Sequence, residues 1–198
     1  MSSLIEMLTQ QLGNQQNLGQ LSRQLGTDQT ATQNAIGAAL PVLLSALARN
    51  SAERSGAESL ERALNKHDGS VLDNLGGFLE SPDVDDGEGI LRHVLGDRRQ
   101  SVETGVGKAA GLDMSMVAKL LPMLAPIVLG ALGRQKREAG LNSTGLSELL
   151  GQERRQMEQA SPAAGMLGKL LDQDGDGSVA DDIAKMGTGL LGSLFRKR

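Results

Sequence analysis

The chain has 198 residues, 39% of them apolar, no cysteine and a formal net charge of −4. That length allows one large or two small domains, and the missing cysteines exclude disulfides and thiolate chemistry. Interspersed acids and bases argue against a general nucleic-acid binder, and the two aromatics, Phe78 and Phe195, leave a core of Leu, Val, Ile, Ala and Met that suits closely packed helices.

Apolar spacing predicts helices over 2–13, 16–25, 28–36, 41–53, 57–66, 70–79 and 87–95 in the first part of the chain. It predicts further helices over 99–110, 113–121, 124–137, 145–158, 163–171 and 180–194. No segment alternates as a strand would, so the fold class is all-α: many short, Gly-punctuated helices. Residues 1–20 lack a basic region followed by an apolar run, so no classical secretory signal is expected. Cytoplasmic location is the default, with non-classical export left open. The most apolar run, Leu120 to Gly133, falls short of the roughly 20 residues that span a bilayer and is expected to be a buried core helix. Arg134 to Gln159 reads either as mobile chain or as a long exposed helix.

Shifted by 85 residues, the chain matches itself without gaps. Gly26-Thr27-Asp28 meets Gly111-Leu112-Asp113, and the run from Pro41 to Arg49 meets the run from Pro126 to Arg134. Each Asp is placed to open a helix, and each Pro is tolerated if it lies in a first turn. Two related halves follow, near 1–85 and 86–198, joined at the acidic turn Ser81 to Gly87. A second echo pairs Asp68-Gly69-Ser70-Val71-Leu72-Asp73-Asn74-Leu75 with Asp176-Gly177-Ser178-Val179-Ala180-Asp181-Asp182-Ile183, each an Asp-Gly-Ser turn leading into a short helix.

The later copy carries the chain's sharpest chemistry. Asp172, Asp174 and Asp176 stand at positions 1, 3 and 5 of an EF-hand-type calcium loop, with Gly177 at 6, the Ser178 carbonyl at 7 and Val179 at 8. Position 12 is Ile183 where a bidentate Glu is usual, so Asp182 is the expected closing ligand in a shortened loop. An affinity near 10⁻⁵ to 10⁻³ M follows, on the order of the weaker EF-hand sites. The competing reading is an acidic helix-capping turn with no ion. The earlier copy cannot be a calcium loop, because Leu64 and Lys66 fall where ligands belong.

Three features resemble a bacterial family known as domain of unknown function 937, the YidB-like group. They are Leu18 to Gly26 with Ala38 to Leu44, the run Asp68 to Phe78, and Gly89-Ile90-Leu91-Arg92-His93-Val94-Leu95-Gly96. The resemblance covers most of 1–135 and implies an all-helical fold without an established activity.

Other candidates read blandly. His93 and His67 lack partners at metal-binding or triad spacing, and His93 is expected as a partly buried helix residue. Asp83, Asp85, Asp86 and Glu88 suggest helix-capping acids or a second weak cation site. Gly105-Val106-Gly107-Lys108 fails as a phosphate loop and reads as glycines opening a helix. The methionines Met114, Met116, Met123, Met157, Met166 and Met186 are expected on packed apolar faces. The expected function is a non-enzymatic structural or assembly protein, a helical oligomer whose calcium-ordered C-terminal segment makes subunit contacts. Self-association or a protein partner is expected, and no nucleic acid. The alternatives are a calcium-responsive protein-binding module, a peripheral membrane protein using the apolar tail Ile183 to Phe195, or an acid–base hydrolase with no acid pair singled out.

Overall fold

The computed structural model describes residues 3–160. The metal-ligand candidates Asp172, Asp174, Asp176, Ser178 and Asp182, the helices expected over 163–171 and 180–194, and Met166 and Met186 lie outside the described residues. Residues through Arg155 form one compact unit, and Gln156–Arg198 another.

The fold is all-α. In order come α1 (Leu4–Leu12), α2 (Gln15–Leu25), α3 (Gln29–Asn50), α4 (Arg54–Leu64), a 3-10 turn (Ser70–Leu72), α5 (Leu75–Glu80), α6 (Val84–Leu95), α7 (Arg99–Ala110), α8 (Met114–Ala139) and α9 (Ser143–Ala160). Local chemistry sets many of the boundaries. Ser3 and Glu6 close a capping box on α1, Asn14 caps α2, and Asp28 accepts from the Ala31 N–H to open α3. Gly26 (φ 72°) ends α2 and Gly111 (φ 69°) ends α7 in the same left-handed conformation, one that glycine adopts without steric cost. The 85-residue repeat is therefore a structural unit: helix, left-handed Gly, Asp N-cap, long Pro-containing helix.

Those long helices differ from expectation. The segments 28–36 and 41–53 are one helix, α3, and the segments 113–121 and 124–137 are one helix, α8. Pro41, Pro122 and Pro126 lie inside them rather than in first turns. A proline in a helix interior removes one backbone bond and crowds the preceding turn. Burial offsets that cost in α8, where every residue from Leu120 to Gly133 is buried. A helix apolar on all sides is one enclosed by protein or lipid. Here α6, α7, α3, α4 and the 3-10 turn pack around it. Both α3 and α8 are long and apolar enough to cross a membrane by length and composition, with 56% and 83% of their most apolar windows buried in the protein.

Further corrections are local. The helix expected over 70–79 breaks into the 3-10 turn and α5, because Asn74 stops the turn and caps α5 through the Gly77 N–H. His93 is exposed, and its backbone carbonyl accepts from the Asn50 side chain. Met114 is 43% exposed rather than packed. Gly105 and Gly107 lie in the later part of α7, not at its start, and the Gly107 carbonyl accepts from Leu112 at the helix end. The polar stretch after Arg134 divides between the end of α8 and α9, which docks through buried Leu146, Leu150 and Glu153.

Candidate functional site

The most developed site among the described residues is built on the Asp68-Gly69-Ser70-Val71 turn. Gly69 sits at φ 97°, a conformation that L side chains rarely adopt, and this folds the chain flat onto α8. The approach is very close. A Cβ on Gly133 would stand 1.8 Å from the His67 carbonyl oxygen, and one on Gly130 would stand 2.4 Å from a Val71 methyl. Small residues on α8 are thus the seat of the turn. Arg134 fastens it, donating to the Gly69 carbonyl at 2.8 Å and pairing with Asp73.

The Asp68 carboxylate accepts from the Ser70 backbone N–H at 3.0 Å. That bond, the Ser70 hydroxyl and the Arg137 guanidinium, 3.3 Å away, hold its carboxyl below the usual carboxylate range. Beside the turn lies a cavity of about 310 Å³ whose lining includes His67, Asp68, Ser70, Phe78, Asp83 and Asp86. The volume is at the lower limit for small-molecule sites, roughly 300 to 1,000 Å³. His67 Nε2 lies 3.8 Å from Asp86 Oδ1, with the two side chains 17% and 39% exposed. At that distance the pair is an ion pair when His67 is protonated and too long for a hydrogen bond.

The acids grouped in the sequence are separated by the fold. Asp83 caps α6 through the Asp86 N–H, Asp86 faces His67, and Glu88 forms a two-pronged pair with Arg99. Arg99 also bonds Glu103, and the hydrogen bonds from Arg99 hold the Glu88 carboxyl below its usual range. Among the described residues no three His, Asp or Glu side chains come together in a way that could hold a metal ion. Sequence spacing offered His67 no partner. Asp86 becomes one only because α6 and the turn both pack on α8, a long-range contact with no local signal.

A second cavity, of about 300 Å³, lies between α2 and α5 and is lined by Gln20, Arg23, Gln24, Leu79 and Glu80. Gln24 donates to the Leu79 and Glu80 carbonyls, satisfying the end of α5 in the way a left-handed glycine does elsewhere. Gln20 donates to the Glu80 carboxylate at 3.1 Å. At the other end of the unit, the buried Glu153 carboxylate accepts from the Leu4 N–H at 2.9 Å, holding α9 to the start of α1.

A family model described as "Bacterial protein of unknown function (DUF937)" matches residues 6–135, which include the turn, its seat on α8 and both cavities. No curated protein and no solved structure matches the chain.

Proposed function

Since the chain belongs to the DUF937 family of bacterial proteins of unknown function, we propose from its own residues that it is a non-enzymatic structural protein. In this reading it self-associates, and calcium orders its C-terminal segment. The observation that carries the reading is how the chain uses its carboxylates. In the described unit the clustered acids serve as helix caps and ion-pair partners: Asp83 for α6, Asp86 for His67, Glu88 for Arg99, Asp68 for its own turn. Asp172, Asp174 and Asp176 instead have the alternate spacing of an ion loop, with Ser178 and Asp182 completing the ligand set.

Light scattering after size exclusion, with calcium and with chelator, tests the assembly. An oligomer that weakens on chelation is expected, and a monomer under both conditions would overturn it. One sequence feature favours a second reading, a calcium-responsive protein-binding module: the loop runs straight into the apolar segment Ile183 to Phe195. Under that reading calcium changes partner affinity or helicity at constant oligomeric state.

A further inference from the structure

The cavity of about 310 Å³ beside the Asp68–Val71 turn combines two kinds of lining. Val71, Phe78 and Pro126 supply apolar surface, half-buried or buried. Asp68, Asp83 and Asp86 supply carboxylates, set against Lys66 and His67. The three acids are not equally available. Asp68 is committed on both oxygens: Oδ1 accepts from the Ser70 N–H, and Oδ2 accepts from Arg137. Asp83 uses one oxygen to accept from the Asp86 N–H and has no ion-pair partner among the described residues. The Asp86 carboxylate has His67 as its charged neighbour, 3.8 Å away and too far for a hydrogen bond. Asp83 caps α6 and Asp86 lies three residues on, in its first turn, so two carboxylates with unused acceptor capacity stand side by side at the edge of an apolar hollow.

We propose that this cavity binds a short aliphatic amine. Its ammonium donates to the Asp83 and Asp86 carboxylates, and its carbon chain lies against Val71, Phe78 and Pro126. Donor count selects the group. An ammonium carries three donors and no acceptor, so one such group serves both carboxylates, whereas a hydroxyl has a single donor and serves one of them. An anionic ligand would meet two like charges, with only His67 and the exposed Lys66 in its favour. A metal ion is the poorer cation, because no three His, Asp or Glu side chains among the described residues converge to hold one. The cavity volume lies at the lower limit for small-molecule sites, roughly 300 to 1,000 Å³, which suits a short chain rather than a folded partner. The apolar surface is what separates this place from an ordinary exposed acid pair, whose attraction for cations salt largely screens. Occupancy would also join α6 to the turn, since the acids come from one and Val71 from the other. The proposal uses neither the calcium loop nor self-association.

Three probes of equal chain length, 1,4-diaminobutane, 1,4-butanediol and succinate, test the end group directly when titrated into the full wild-type chain. The readout is proton NMR, which the composition makes simple: there are two histidines and two phenylalanines. The diamine should shift the ring signals of His67 and Phe78 with a dissociation constant of about 1 mM, on the order expected of six non-hydrogen atoms. His93, exposed in the last turn of α6, should not move. The diol should bind roughly tenfold more weakly, because one carboxylate is left unpaired, and succinate should not bind. Diol or succinate binding as tightly as the diamine, no shift with the diamine, or equal shifts at His93 would overturn the proposal. Nα-acetyl-lysine amide, run in parallel, carries the same group on a protein side chain, and the tighter of the two amines names the source. Variants add a second arm. Asp83→Asn keeps a capping side chain, and it and Asp86→Asn should each weaken the diamine by about three- to fivefold, the effect of losing one partly exposed charge pair. Asp85→Asn removes the same charge from an exposed residue outside the lining and should leave the affinity nearly unchanged. Equal weakening by all three would reveal general attraction to an acidic chain and overturn the site. Lys66→Ala should leave binding unchanged or tighten it, and weakening there would mark an anion site instead.

Discussion

Gly87 of α6 lies directly against the carbonyl of Pro122 in α8: a Cβ at Gly87 would stand 1.9 Å from that oxygen. The contact exists because of a second proline. Pro126 has no N–H, so the oxygen four residues before it lacks its usual intrahelical donor. The glycine backbone fits flush over that carbonyl, where a longer side chain would not. α6 and α8 make the most extensive helix pairing in the unit, so this crossing holds the turn site together as well as the core.

Gly87→Ala is therefore expected to destabilise the protein by about 1–3 kcal/mol, the usual cost of overpacking a well-filled core. Gly89→Ala, two residues along the same helix and facing open space, should stabilise it by about 0.5–1 kcal/mol through helix propensity alone. Urea denaturation midpoints of the two variants moving in opposite directions would check the assignment. Equal shifts would mean that the α6–α8 crossing is looser than described.

The Glu88–Arg99 pair sets an acid limit. Hydrogen bonds from Arg99 depress the Glu88 carboxyl in the folded protein, so the pair's contribution is present above the unfolded carboxylate range, near pH 4.3 on the order of model values. It is lost as pH falls through the lower, folded value. Arg99, raised by the same bonds, keeps its charge throughout. Glu88→Gln should cost about 1 kcal/mol at neutral pH for a partly exposed pair, and the difference from wild type should vanish in acid. A difference that does not shrink as the pH is lowered would show that the loss was packing rather than charge.

Glu153 is 6% exposed, and its Oε1 accepts from Leu4 while Oε2 has no hydrogen-bond partner among the described residues. Glu153→Gln keeps an acceptor for the Leu4 N–H and removes a buried charge, so near-neutral or raised stability is expected. Glu153→Ala leaves that N–H orphaned at the start of α1 and should cost about 1–2 kcal/mol. Amide exchange in residues 4–8 separates the two: faster in the Ala variant, unchanged in the Gln variant.

For the C-terminal loop, calorimetric titration should give a calcium dissociation constant between about 10⁻⁵ and 10⁻³ M. Asp174→Ala should abolish the heat. Identical titrations of variant and wild type would remove the ion and leave Asp172 to Val179 as a capping turn.

The class of the fold, the helix-opening Asp28 and Asp113, the helix-ending Gly26 and Gly111 and the repeat that relates them were all legible from the residues. Each rests on chemistry confined to a few neighbouring positions: the Asp28 side chain accepting from the Ala31 N–H, the Asp113 backbone carbonyl accepting from Met116, or a backbone angle open to glycine. Tertiary structure alone decided that Pro41, Pro122 and Pro126 would sit inside long helices. Local rules assign proline to helix starts, and only burial across a whole unit offsets its cost further in. It likewise decided that His67 would face Asp86, that Glu88 would pair with Arg99, and that Gly87 would seat on Pro122. These relationships join residues from separate segments of the chain whose approach depends on packing around α8. No pattern read along the chain carries that information.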